Sequence, residues 1–204
     1  MILEIHKYIP EASQELIFKL HQKHPFELKI KNQRKTKHGD FRVRSSQTFL
    51  ITVNNDLNPY KFLITLVHEI AHLVAYSNHK RTKPHGTAWK QTFKYLMLPF
   101  LTDAIFPSDI LSPLAHYLKN PKARTDSDIK LSLALRNYDE KTDKKLIFEL
   151  DLDAEFSYND RVFKKGIKRK TRIECVEVNT KKRYLFHQNA EVLTMDLIKN
   201  NNDK

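Results

Sequence analysis

Residues 67–90 read VHEIAHLVAYSNHKRTKPHGTAWK, and this stretch decides what kind of domain the chain encodes. His68, Glu69 and His72 form an HExxH motif. On a helix, residues four apart share a face, so the two imidazoles can be presented to one metal ion. Glu69 projects about 100° further round, where its carboxylate can reach a water at the metal but not easily the metal itself. That division of labour suits peptide hydrolysis, in which a zinc ion polarises the carbonyl and a carboxylate takes a proton from water. A helical wheel puts Leu63, Leu66, Val67, Ile70 and Val74 on a core-facing stripe opposite the ligands. It leaves Lys61, Thr65 and Tyr76 beside the two histidines, facing a cleft.

Zinc in a hydrolase takes three protein ligands and keeps one position open. His85 is the candidate third ligand, 13 residues after His72, with Pro84 and Gly86 restricting the backbone around it. His79, in the intervening polar loop, competes with it. No Asp or Glu occurs between 73 and 102, which argues against a glutamate ligand on the following helix. Position 78 is Asn, so the third histidine of the longer HExxHxxGxxH pattern is missing.

Composition bounds the alternatives. The chain has 204 residues, a hydrophobic fraction of 40% and a formal net charge of +12. That length and apolar content fit one domain, or one plus a small appendage, with a real core. Gly39, Gly86 and Gly166 are the only glycines, so no glycine-rich phosphate loop is possible. Cys175 is the only cysteine, which excludes an intrachain disulfide framework and a four-cysteine zinc site. No signal peptide or 18-residue apolar span is visible, so a cytoplasmic chain without a membrane partner is expected.

Working outward from the motif, Asn58 and Pro59 read as the N-cap and first turn of a helix over 58–78, and a second helix is expected over 87–97. Upstream, Pro10 and Glu11 open a helix that runs to about His24. FELKIKN, GDFRVR and TFLITVN alternate with period two and read as strands, with Gly39 and Asn55 at turns. Downstream, Pro99, Pro107, Pro113 and Pro121 are expected to break the chain into short pieces. Residues 121–145 read as a polar connector whose apolar positions fit a strand or a helix equally. LIFELDLD (146–153), RIECVEV and RYLFH alternate as strands, giving a small β subdomain over 146–196 before a polar tail at 197–204.

HEIAH followed by HGTAWKQTF resembles the SprT-like family of zinc metallopeptidases, which includes the eukaryotic Spartan proteases. The hairpin before the motif resembles that family's small sheet. The likeness covers about residues 10–100. It implies an α+β, zincin-like metallopeptidase domain over 1–120, built of helices and a small antiparallel sheet, ahead of the C-terminal β subdomain. It implies one catalytic zinc ion on His68, His72 and His85, Glu69 as general base, and a protein substrate. Trp89 and Phe93 match the aromatic positions that follow the third histidine, where packing of the second helix accounts for them. Many members end in a zinc ribbon with paired CxxC knuckles. The lone Cys175 cannot build one, and reads as a buried strand residue.

Charge is segregated along the chain. Residues 161–183 hold ten Lys or Arg and two Glu, whereas 139–160 hold eight Asp or Glu and three Lys. Lys164, Lys165, Lys168, Arg169, Lys170 and Arg172 form the densest cluster, and Lys29 to Arg44 a second one. Such clusters can track a phosphate backbone without reading sequence, with Phe41, Phe163 and Tyr184 placed to stack on bases. The expected partner is DNA, in line with family members that degrade proteins crosslinked to DNA. The competing reading is a nucleic-acid-binding or transcription-associated module whose zinc is not catalytic.

Overall fold

The computed structural model describes residues 2–195 except 35, 46–47, 79–82, 141 and 171. The polar tail at 197–204 lies outside the described residues. The chain divides into two compact units, residues 1–140 and 141–204.

In the first unit a 3₁₀ turn, Glu11–Ser13, leads into α1 (Gln14–Lys23), which buries Ile17 and packs Leu16 and Leu20 against the core. Three strands follow: β1 (Glu27–Lys31), β2 (Gly39–Ser45) and β3 (Thr48–Asn54). The sheet is mixed, not antiparallel as expected. Its order is β1-β3-β2, with β1 parallel and β2 antiparallel to β3. The cause is hydrophobicity: β3 is buried from Leu50 to Asn54 and takes the centre, while half-polar β1 and β2 take the edges.

α2 (Pro59–Asn78) is the central element of this unit. Asn58 caps it, its Oδ1 accepting the Lys61 amide at 2.9 Å. The wheel predicts one buried stripe, but Phe62 to Ala75 are buried all round except His72, which is half-buried. The sheet covers one flank of the helix and α3 (Thr87–Met97) another. Pro113 does not break the chain. It lies inside α4 (Ser108–Tyr117), where the carbonyl deprived of its helical partner belongs to exposed Asp109.

Residues 121–145 are not a connector. They contain α5 (Ile129–Arg136), capped by Asp128 Oδ1 accepting the Leu131 amide at 3.0 Å. Leu131, Ala134 and Leu135 are buried in the core of the first unit.

The second unit is a six-stranded sheet with antiparallel pairings. It comprises β4 (Lys145–Leu146), β5 (Glu155–Tyr158), β6 (Arg161–Arg169), β7 (Arg172–Glu177), β8 (Arg183–His187) and β9 (Glu191–Thr194), in the order β4-β9-β5-β6-β7-β8. Its core is Ile147, Leu150, Phe156, Phe163, Ile173, Cys175 and Val192. The strand expected over 146–153 is a correction. Only Leu146 is in a strand, and Ile147–Glu149 form a 3₁₀ turn. Ile147 and Leu150, three apart, point inward, while Phe148 and Leu152 are exposed. Glu149 Oε2 accepts the Leu146 amide at 2.7 Å and closes the turn. No helix among the described residues is long and apolar enough to cross a membrane.

Candidate metal centre

The site begins with the period of α2. His68 and His72 stand one turn apart on it, and His85 comes from the loop ahead of α3. His85 adopts a left-handed backbone, φ 57°, which costs a non-glycine residue about 1–2 kcal/mol. This conformation turns its ring back onto α2. The three Nε2 atoms converge: His68 to His85 is 3.1 Å, His68 to His72 is 3.2 Å, and His72 to His85 is 3.0 Å. Ligands of a tetrahedral zinc ion with Zn–N near 2.0–2.1 Å are about 3.3 Å apart, so the triangle has the size of one face of such a site. Burial, and for His68 and His72 their neighbouring rings, hold all three histidines below the ordinary range, His72 at about 4. They are neutral at pH 7, the state that binds metal. Three neutral imidazoles cannot satisfy one another through Nε2, and a cation at the centre can satisfy all of them. The competing candidate His79 lies outside the described residues.

Trp89 forms the floor of this triangle. It is fully buried, with its ring centre 4.5, 5.2 and 4.7 Å from those of His68, His72 and His85. Its Nε1 donates to the His68 carbonyl at 3.4 Å, and Phe93 stacks beneath it at 5.1 Å. The aromatic positions are core, as read, and they also hold the ligand rings in place.

Residues 5–100 match the profile of the SprT-like family. These residues form a SprT-like domain. No curated protein and no solved structure matches the chain. The match spans all of α1, α2 and α3 and the three converging histidines. The match suggests a metallopeptidase-like module over these residues, with a histidine triad that could hold a metal ion.

Beside the triad the SprT-like domain carries Glu69. It is buried, and its carboxyl is pushed up to about 8, first by burial and then by Asp40. Arg34, Lys37 and a hydrogen bond from the Phe41 amide pull in the opposite direction. Gly39 is not at a turn, as its sequence context suggests, but is the first residue of β2. A Cβ there would lie 2.5 Å from Glu69 Oε1 and 2.8 Å from Thr65 Cγ2, so glycine is what lets β2 pass this close to α2.

A cleft of about 560 Å³ opens over His68, Glu69, His72 and His85. Residues 36–41 form one wall, and residues 123–126 another. Two residues of these walls were not legible in sequence. His38 Nε2 meets Asp126 Oδ2 at 2.6 Å, and Lys61 Nζ meets Asp126 Oδ1 at 2.9 Å. Burial alone would raise the Asp126 carboxyl, but these two partners hold it well below the usual range. His38 and Asp126 are 88 positions apart, and no local pattern marks either. Arg34 secures the first wall, donating to Asn54 Oδ1 at 2.7 Å, Thr52 Oγ1 at 3.0 Å and the His38 carbonyl at 3.3 Å. Tyr76 is a correction. Eight residues after His68 it has drifted about 80° round the helix, and it packs on Phe41 and Phe49 rather than lining the cleft.

The densest basic cluster, Lys164 to Arg172, lies on β6, the first residue of β7 and the turn between them, outside the matched residues. Lys164 pairs with Asp153 at 3.3 Å, and Arg169 with Glu174 at 3.3 Å. Lys165 Nζ donates to the Phe148 and Leu150 carbonyls, and Arg172 to the Leu185 carbonyl at 3.4 Å. Lys168 and Lys170 carry no ion pair among the described residues. Of the aromatics offered for stacking, Phe163 is core, and Tyr184 is covered by Arg161, whose guanidinium sits 4.8 Å from its ring centre. In the first cluster, Lys37 and Arg42 share Asp40, and Lys29 and Arg44 share Glu27.

Proposed function

We propose that the chain is a zinc-dependent metalloendopeptidase acting on proteins associated with or crosslinked to DNA. The observation that carries this reading is the buried carboxyl of Glu69 beside three Nε2 atoms only 3.0–3.2 Å apart. His68, His72 and His85 would hold the ion, and among the described residues no fourth His, Cys, Asp or Glu joins them. Bound there, zinc supplies Lewis acidity for the scissile carbonyl and acidifies water. Glu69 takes the proton from the attacking water and delivers it to the leaving amine. A cleft of about 560 Å³ lies above the triad, where a peptide substrate would bind.

DNA as recruiter rests on the +12 net charge, on Lys168 and Lys170, which carry no ion pair among the described residues, and on the habits of the family that residues 5–100 match. A cytoplasmic setting fits the single unpaired thiol of Cys175. The test is cleavage of a basic DNA-binding protein by the zinc-loaded chain, with and without single-stranded DNA. Wild type should cleave faster with DNA, and Glu69→Gln should retain one zinc while losing activity at least about 10²-fold. Wild-type activity in Glu69→Gln refutes the mechanism.

The second reading, a nucleic-acid-binding module with non-catalytic zinc, draws on the ten Lys or Arg between 161 and 183. It is favoured if zinc and DNA both bind and no protein is cut.

A further inference from the structure

The charges lining the cleft do not balance evenly. Five side chains other than histidine bring charge to it: Lys37, Asp40, Glu69, Arg124 and Asp126. Lys37 is spent on Asp40 at 2.8 Å, and Arg42 reaches the same carboxylate at 2.6 Å. Asp126 is met by Lys61 at 2.9 Å and by His38 at 2.6 Å. Glu69 is buried beneath β2. Of the two cations that line the cleft, Lys37 and Arg124, only Arg124 has no ion pair among the described residues. Among the described residues the one hydrogen bond from its guanidinium runs from Nη2 to the Thr36 carbonyl at 3.2 Å, across from the other wall. That leaves four of its five N–H donors unused.

Arg124 is nonetheless held in place. Ser127 Oγ donates to its carbonyl at 2.6 Å, and Asp126, two residues on, ties the same turn to α2 through Lys61. A guanidinium anchored at one corner, with its remaining donors on a cleft, is a ready partner for a planar carboxylate.

We infer that Arg124 is a specificity determinant of the cleft, binding a carboxylate of the substrate chain close to the bond that is cut. This rests on the proteolytic reading of the cleft. The carboxylate can come from an acidic side chain or from a free C-terminus. A nucleic-acid phosphate is the less fitting ligand. A phosphate backbone needs several cations in a row, and here one unpaired cation stands among three carboxyl groups.

The test uses the full chain loaded with zinc and quenched peptides that differ by Glu or Gln at single positions flanking the cleaved bond. Each peptide is made with a free and an amidated C-terminus, which separates the two sources of carboxylate. Wild type should prefer the carboxylate member of a pair by roughly tenfold in kcat/KM, mainly through KM. Arg124→Ala should bring that ratio close to one. Arg124→Lys should keep part of it, because an ammonium group attracts a carboxylate without the bidentate fit.

If no peptide is cut, fluorescence anisotropy of the same peptides on zinc-loaded wild type and Arg124→Ala still reads the inference. A preference in Kd that Arg124→Ala removes upholds Arg124 and counts only against proteolysis. Equal handling of Glu and Gln peptides by wild type, or a preference that survives Arg124→Ala, overturns it. So does a result in which Arg124→Ala weakens DNA binding, with a shallower salt slope, and leaves the peptides untouched.

Discussion

Gly39 and Glu69 stand so close that a methyl group on residue 39 would lie 2.5 Å from the Glu69 carboxyl oxygen. One comes from the edge strand β2 and the other from the middle of α2, and the missing side chain of the first makes room for the second. Gly39→Ala should therefore displace the carboxyl while leaving the three histidines in place. We expect kcat to fall about tenfold or more, one zinc to be retained, and stability to drop by about 1–3 kcal/mol. Metal analysis beside steady-state kinetics checks this, and an alanine variant with wild-type kcat contradicts it.

His85 combines a ligand with a left-handed backbone, φ 57°. Its two roles separate in a pair of variants. His85→Ala and His85→Gly should both lose stoichiometric zinc, since two ligands from one helix remain. Without metal, the glycine variant should be the more stable by roughly 0.5–1 kcal/mol, because glycine tolerates this backbone without strain. Equal stability of the two would mean that the left-handed geometry is not held in solution.

The metal-free protein should have a stability maximum near pH 6.5. The histidines of the triad have folded pKa values below the unfolded one, His72 at about 4. As pH falls from 6.5 towards 4 the unfolded chain takes up protons that the folded one refuses, so stability drops. Glu69 acts in the opposite sense. Its carboxyl, at about 8 in the fold, keeps a proton that the unfolded chain releases above its ordinary value of 4.5. Its contribution is therefore lost as pH rises towards 8. Three histidines outweigh one glutamate below 6.5, and Glu69 acts alone above it. Tm against pH for apoprotein should show both limbs, and Glu69→Gln should flatten only the alkaline one. An alkaline limb that persists in Glu69→Gln would place its cause elsewhere.

Zinc loading should raise Tm and make it depend on free metal concentration, because an ion that binds only the folded triad stabilises by mass action. A chelator should reverse the gain. Since the ligands must be neutral, zinc retention should weaken as pH drops through the histidine range. Retention that stays flat into mildly acidic solution would contradict an all-histidine site.

Asn58 joins two parts of the fold that the sequence reading kept apart. Its Oδ1 caps α2, and its Nδ2 donates to the Leu135 carbonyl at 2.9 Å and to Asp139 Oδ1 at 2.6 Å. Asn58→Ala should cost about 2–3 kcal/mol, since it removes a cap and the two hydrogen bonds that Nδ2 gives to the Leu135 carbonyl and Asp139. Asn58→Asp keeps the cap but sets two carboxylates together, and should not rescue. Denaturant unfolding of the three proteins decides the point, and full rescue by aspartate would show that only the cap matters.

The sequence by itself determined what depends on neighbours along the chain. The turn of a helix puts His68 and His72 on one face, a polar side chain before a proline starts that helix at Asn58, and hydrophobic alternation marks β1, β2 and β3 and, in the second unit, β7 and β8. Tertiary structure decided what depends on residues far apart meeting. It put β3 at the centre of a mixed sheet, drew α5 into the first core, and set Trp89 beneath all three imidazoles. It also paired His38 with Asp126 across the cleft and left Arg124 without an ion pair among the described residues. The reason is physical: a local period records which face a side chain occupies, whereas the neighbour opposite that face is chosen by packing of the whole core.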